Sequence, residues 1–182
     1  MTDTGKALGH LKSARLAAPR PDTRPAKHTV TLIPGDTVGD EIAEAVVKVV
    51  AATGVSLGWD RQIAGQKAQA RHGAPLPAAL IESIRKNKVA LKGRIGTPIG
   101  GGSSLESPNV TLRKVLDLFA SVRPATNLPG LKSRYEGIDL VVIRENTEDL
   151  YAGIEHEVVP GVVQSLKVVT QAASSRIARF AF

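Results

Sequence analysis

The chain of 182 residues contains no cysteine, which excludes disulfides, thiolate metal sites and a cysteine nucleophile. Aromatic residues make up only 3% of it, so a core has to be built from Val, Leu, Ile and Ala. No apolar run approaches the roughly 18 residues of a membrane-spanning helix. Aromatic and basic residues do not interleave, which removes the stacking platform of a single-strand nucleic-acid binder. The first strand–turn–helix, "TVTLIPGDTVGDE", lacks the G-x-G-x-x-G fingerprint of a dinucleotide-binding turn. Gly35 and Gly39 read instead as a plain strand-to-helix turn.

What is present is a hydrophobic fraction of 42%, enough for a sizeable core. The net charge of +7 suggests nucleic acid at first sight, but its distribution does not. Residues 1–28 carry six basic side chains against Asp3 and Asp22, which accounts for +4 of the total. This segment has no apolar periodicity and is broken by Gly5, Gly9, Pro21 and Pro25. It reads as a disordered basic arm rather than a transit peptide, which would avoid acids.

From Thr29 onward the pattern alternates. A strand over Thr29–Ile33 is followed by a helix from Asp40, with Ile42, Ala45, Val46, Val49 and Val50 at helical spacing and Gly54 at its end. "LGWDRQIAG" predicts a second strand, "PLPAALIESIRKN" a helix with Leu80, Ile81 and Ile84 on one face, and "KVALKGRIG" a third strand. Together they predict an α/β domain with parallel strands.

Two later stretches carry chemistry. In "GTPIGGGSSLESPNVTLRKVLDLFASVRP", Ser107 and Pro108 mark a helix start. Val110, Leu112, Val115, Leu116 and Phe119 would form its buried face. Asn109 and Arg113, four apart, share one side. A hydroxyl, an amide, a guanidinium and unsatisfied N–H groups at the positive end of a helix make an anion site, although a capped surface helix fits the same pattern. In "IDLVVIRENTEDLYAGIEHE", Ile138–Ile143 predicts a strand buried on both faces. Arg144 follows that strand as Arg123 follows "LFASV". A planar guanidinium fork binds a carboxylate through two parallel bonds. Singly, each arginine also suits a surface ion pair; three forks together suit a ligand with two or three carboxylates.

With "IPGDTVGDE", these two stretches resemble the isocitrate dehydrogenases of the isocitrate/isopropylmalate dehydrogenase family, from about residue 29 to the last. "YAGIEHEVVPGVVQSLKVVT" is most similar to the NAD-dependent branch. The resemblance implies an α/β two-domain fold, incomplete at the C-terminus, with residues 29–118 as the first part of the large domain and 119–182 as the start of the small one. It implies oxidative decarboxylation of isocitrate to 2-oxoglutarate with NAD. The alternatives are NADP, or a non-catalytic regulatory homologue that binds citrate or isocitrate.

The pattern S-x-N-x-x-x-R marks the family's isocitrate users. By that resemblance Ser107, Asn109, Arg113, Arg123 and Arg144 hold the substrate carboxylates, and Thr97 touches the nicotinamide. Tyr151 supplies the proton after decarboxylation, since a phenol with its ordinary pKa near 10 stays protonated at neutral pH. Mg²⁺ or Mn²⁺ is implied too, with its aspartates and a catalytic lysine lying beyond residue 182. Glu145, Glu148 and Asp149 are therefore expected to anchor the loop and pair with arginines. A homodimer or hetero-oligomer is implied, in the cytoplasm or, in a eukaryote, the mitochondrial matrix, with neither nucleic acid nor membrane as partner.

Departures from the family pattern are "GDTVGDE" for "GDGIGPE", "KGR" for "KGP", and four residues rather than about two between the triple glycine and Ser107. "VTQAASSRIARFAF" predicts a helix with Ile177, Phe180 and Ala181 on its apolar face. Its uncapped apolar end suggests an N-terminal fragment of a longer protein.

Overall fold

The computed structural model describes residues 28–96 and 107–182. The basic arm before His28, and the glycine-rich loop with Thr97, lie outside the described residues.

The β-branched run of β1 (His28–Ile33) forms the centre of a three-stranded parallel sheet, with β2 (Leu57–Arg61) and β3 (Ala90–Lys92) on either side. Thr31 stands opposite Asp60 on one neighbour and Ala90 on the other. Helices α1 (Gly39–Ala52), α2 (Gly65–His72) and α3 (Ala78–Asn87) connect the strands. Ile33, Ala64, Leu80 and Ile95 form the buried core, with Leu76 and Ile84 packed against it. It is aliphatic, as the scarcity of aromatics required.

Thr31 is fully buried, and a buried hydroxyl needs a partner. It hydrogen-bonds Ser83 of α3 at 2.7 Å and accepts from the Asn87 amide at 2.9 Å. Ser83 in turn donates to Asp60 at 2.6 Å. Hydrogen bonds from Ser83 and Gln62 hold the Asp60 carboxyl below its ordinary pKa.

The predicted βαβαβ alternation is present, with one addition. The second strand stops at Arg61, and "GQKAQARH" forms α2, whose alternating small and polar residues hid its period. Gly65 opens it at φ +69°, and a Cβ there would collide with the Asp36 carboxylate. Asp36 is buried. It accepts the Gln66 amide at 3.0 Å and the Gly96 amide at 2.8 Å, binding the first turn to α2 and to the exit of β3.

Beyond residue 106 come α4 (Pro108–Val115), an antiparallel pair β4 (Ala120–Thr126) and β5 (Asp139–Glu145), a long hairpin β6 (Asp149–Val159) and β7 (Val162–Val168), and α5 (Gln171–Ala181). Thr170 caps α5 by accepting the Ala173 amide at 3.1 Å. Two expectations fail here. α4 ends at Val115, so only Val110 and Leu112 of its forecast apolar face are buried; Val115 is exposed and Phe119 lies past the helix. The strand "LVVI" is not buried on both faces: Leu140, Val141 and Val142 are 46%, 57% and 49% exposed. Among the described residues α5 is the element packed most against β5 outside its strand pair, which leaves the remaining surface open. Among the described residues no helix is long and apolar enough to cross a membrane.

Candidate functional site

The site is assembled where α4, the end of β5 and the start of β6 meet. Ser107 is the N-cap of α4 in extended conformation, with Pro108 in the first turn. Its carbonyl accepts the Thr111 amide at 3.0 Å and the Thr111 hydroxyl at 3.2 Å. Asn109 is committed at both ends of its amide: Nδ2 donates to the Ile95 carbonyl at 3.0 Å, and Oδ1 accepts from Lys92 Nζ at 3.1 Å. It therefore fastens α4 to the chain leaving β3.

Lys92 was missed in the sequence, where its only signal was its position at the end of a strand just before the glycine-rich loop. Its ammonium also donates to the Gly93 carbonyl at 2.8 Å. Desolvation, aided by the positive charge of Arg113, pulls its pKa below the ordinary lysine value. Two cations that disfavour each other's charge in this way suit an anion between them.

Arg113 falls in the last turn of the short α4 and not near its start, as the longer predicted helix would have it. Its guanidinium carbon lies 5.3 Å from the centroid of the Tyr151 ring, and that of Arg144 lies 5.7 Å from the same centroid. Arg144 Nη2 donates to Asn146 Oδ1 at 2.9 Å, while its buried Nε has no partner among the described residues. Arg123 is not at a strand end but within β4, exposed, its Nε donating to Ser121 Oγ at 3.3 Å. Ser121 stands opposite Arg144 in the β4–β5 ladder. Residues two apart share a face, so Arg123 and Arg144 project from the same side as diagonal neighbours.

The acidic residues between Arg144 and Tyr151 fold the loop, as expected, but not by pairing with arginines. Glu145 accepts the amides of Thr147 and Glu148 at 3.0 and 2.9 Å and the Thr147 hydroxyl at 2.5 Å. Partial burial pushes its pKa up, yet these bonds outweigh burial and leave it below the ordinary glutamate value. Glu148 accepts the amide and hydroxyl of Thr170 at 2.8 and 2.6 Å, and Asp149 faces Lys167 at 3.3 Å. Glu145 is thus satisfied by amides and a hydroxyl of its own loop, while Glu148 and Asp149 reach across to Thr170 and Lys167. No group of three or more acidic or imidazole side chains suited to a metal ion occurs among the described residues. Lys114 of α4 donates to the Ala152 carbonyl at 2.9 Å, drawing Arg113 and Tyr151 together.

The chain is similar to several known proteins over most of its length. The NAD isocitrate dehydrogenase catalytic subunit 5 of Arabidopsis thaliana mitochondria is 51% identical over 154 residues, 85% of this chain and 41% of that protein. Regulatory subunit 2 of the same enzyme is 54% identical over 166 residues, 90% of this chain and 42% of the subunit. The chain thus spans about two fifths of the length of these curated relatives. The crystal structure of isocitrate dehydrogenase from Methylococcus capsulatus superposes with a TM-score of 0.75 at 48% identity, covering 84% of this chain and 46% of that one. Residues 29–182 match the isocitrate/isopropylmalate dehydrogenase family throughout, and the chain belongs to that family.

Proposed function

We propose that this chain forms the substrate-gripping part of an NAD-dependent isocitrate dehydrogenase. The supporting observation is the stacking of Arg113 and Arg144 about Tyr151, which sets two carboxylate-binding forks beside one proton donor. Arg113 and Arg144, with Arg123 on the same sheet face, bind and orient the carboxylates of isocitrate. Ser107 and Asn109 join the grip from the start of α4, Asn109 through the second proton of the amide that it ties to Ile95, and Lys92 adds positive charge. Tyr151 then delivers a proton to the carbon that has lost carbon dioxide, a general-acid role that its hydroxyl can fill.

NAD, when bound, accepts the hydride from the carbinol carbon, and Thr97 is the residue of this chain assigned to its nicotinamide. The acidic residues described here do not fit a divalent cation, because no three of them converge on one point. The Mg²⁺ or Mn²⁺ of the reaction takes its ligands from elsewhere in the assembled enzyme. Residues 29–118 belong to the large domain and 119–182 to the small one, in a homodimer or hetero-oligomer. The mitochondrial names of the relatives favour the matrix as its place of action.

A second reading has its own support. Identity to a regulatory subunit, 54%, is no lower than the 51% to a catalytic one, so the same carboxylate grip would also serve a subunit that binds citrate or isocitrate without turning it over. The test is NADH formation by the full-length protein with isocitrate, NAD and Mg²⁺, beside 3-isopropylmalate and NADP controls. Isocitrate-dependent NADH is expected. Binding of isocitrate by calorimetry without turnover selects the regulatory reading, and turnover of 3-isopropylmalate alone overturns both.

A further inference from the structure

One side chain outside the site ties its two halves together. Arg176 lies on α5, and its planar head reaches in two directions. Nη1 donates to both carboxylate oxygens of Asp117, at 3.0 and 3.1 Å. Nη2 donates to the Thr147 hydroxyl at 3.3 Å. The guanidinium also lies 4.3 Å above the ring of Phe119, and that ring meets Phe180 edge-on at 5.5 Å.

Each contact leads to the site in one or two steps. Asp117 sits at φ +49° in the tight connection that leaves α4, and the next amide, Leu118, donates to the Arg113 carbonyl at 2.8 Å. The Asp117 arm therefore fixes the end of the helix that carries Arg113. Thr147 donates its hydroxyl proton to Glu145 and accepts from Arg176. The second arm therefore orients the threonine on which the Arg144–Tyr151 loop is folded. Asn146 links the two: its amide donates to the Phe119 carbonyl at 2.9 Å, and its side chain receives Arg144.

We infer that Arg176 is a positioning residue of the site, setting the spacing between Arg113 on α4 and the Arg144–Tyr151 loop by bridging Asp117 and Thr147 with one rigid fork. The inference rests on the reading of the site as a tricarboxylate grip with a proton donor. Lysine cannot replace the fork, because one ammonium on a flexible stem can pair with Asp117 but cannot hold a second fixed direction toward Thr147. A displacement of about 1 Å between groups that act on one substrate costs up to about 100-fold in rate.

The test uses Arg176→Lys and Thr147→Val in the full-length protein. Two readouts are taken: kcat/KM for isocitrate, and hydrogen exchange at the Thr147 and Glu148 amides. Either variant is expected to lower kcat/KM by about 10- to 100-fold and to speed exchange at those two amides about tenfold. The thermal midpoint should move only by about 2–4 °C, as for an exposed ion pair. A parent protein that does not oxidise isocitrate, but whose loop exchange still rises in both variants, removes the proposed function and leaves the positioning role standing. Unchanged loop exchange in both variants overturns the inference whatever the activity, and so does unchanged kcat/KM in an active parent.

Discussion

Arg113 and Tyr151, on different elements, are held face to tip, the guanidinium carbon 5.3 Å from the ring centroid. On the function proposed above, the contact joins the proton donor to the carboxylate grip, so that binding and protonation share one geometry. Tyr151→Phe keeps the ring and its cation–π contacts and deletes only the hydroxyl. Turnover in the full-length protein is expected to fall by about 10²–10⁴-fold, with isocitrate affinity nearly unchanged by calorimetry. Loss of affinity with intact turnover would instead mark Tyr151 as a ligand contact.

Arg113→Lys replaces a two-donor fork by a point charge. With a carboxylate buried against it, kcat/KM for isocitrate is expected to drop by an amount equivalent to about 2–4 kcal/mol. Steady-state kinetics with isocitrate decides it, and a value matching the parent removes Arg113 from the site.

The Glu145 loop gives a pH signature. Its folded-state pKa lies below the ordinary glutamate value of 4.5, so the carboxylate's contribution to stability is complete above the unfolded pKa. That contribution is lost as pH falls through the folded value. Protection of the Thr147 and Glu148 amides should therefore hold from neutral pH to just above 4.5 and collapse below it. In Glu145→Gln the amides should exchange faster at neutral pH and show no such acid step. An acid step of the same size in the variant would assign the titration to another group.

Apolar side chains on β5 and on the β6–β7 hairpin remain uncovered in the 182-residue chain, among them Val141, Val158 and Val163 at 57%, 55% and 62% exposure. Exposed strand edges with such faces pair between chains. The isolated chain is expected to self-associate on sedimentation and to produce no NADH with isocitrate, NAD and Mg²⁺. A soluble monomer with one cooperative thermal transition would contradict this.

The parallel sheet and the α3 side of its core were legible from β-branched strands and regular apolar period, as Thr29–Ile33 and Leu80–Ile84 show. The apolar face expected on α1 is not there: Ile42 and Val49 are exposed, and Ala43 is the side chain it buries. The arginines stood out by their place beside apolar segments and Tyr151 through the family resemblance. The structure brings Arg113 and Arg144 to the Tyr151 ring and leaves Arg123 within a strand. The partners of the site residues were not legible. The Asn109 amide reaches Ile95 and Lys92 across a loop, and Arg176 reaches Asp117 from α5; nothing in local periodicity encodes such distant pairings. α2 escaped notice because Ala64 and Ala68 bury it with so little apolar surface. The exposure of "LVVI" misled for the opposite reason: an apolar run states what a strand needs to bury, not what lies beside it.

The central place of β1 has a consequence for how the chain is made. Among the described strands β1 is the earliest made, and it pairs on both sides with strands that follow it, its Thr31 meeting Ala90 on the far neighbour. At about 5–20 residues per second, several seconds of synthesis separate the two. Through that interval Leu32 and Ile33, fully buried at the end, have no finished sheet to enter. Long-range parallel pairing is slow for the same topological reason, so the nascent β1 is the segment where a chaperone would be needed first.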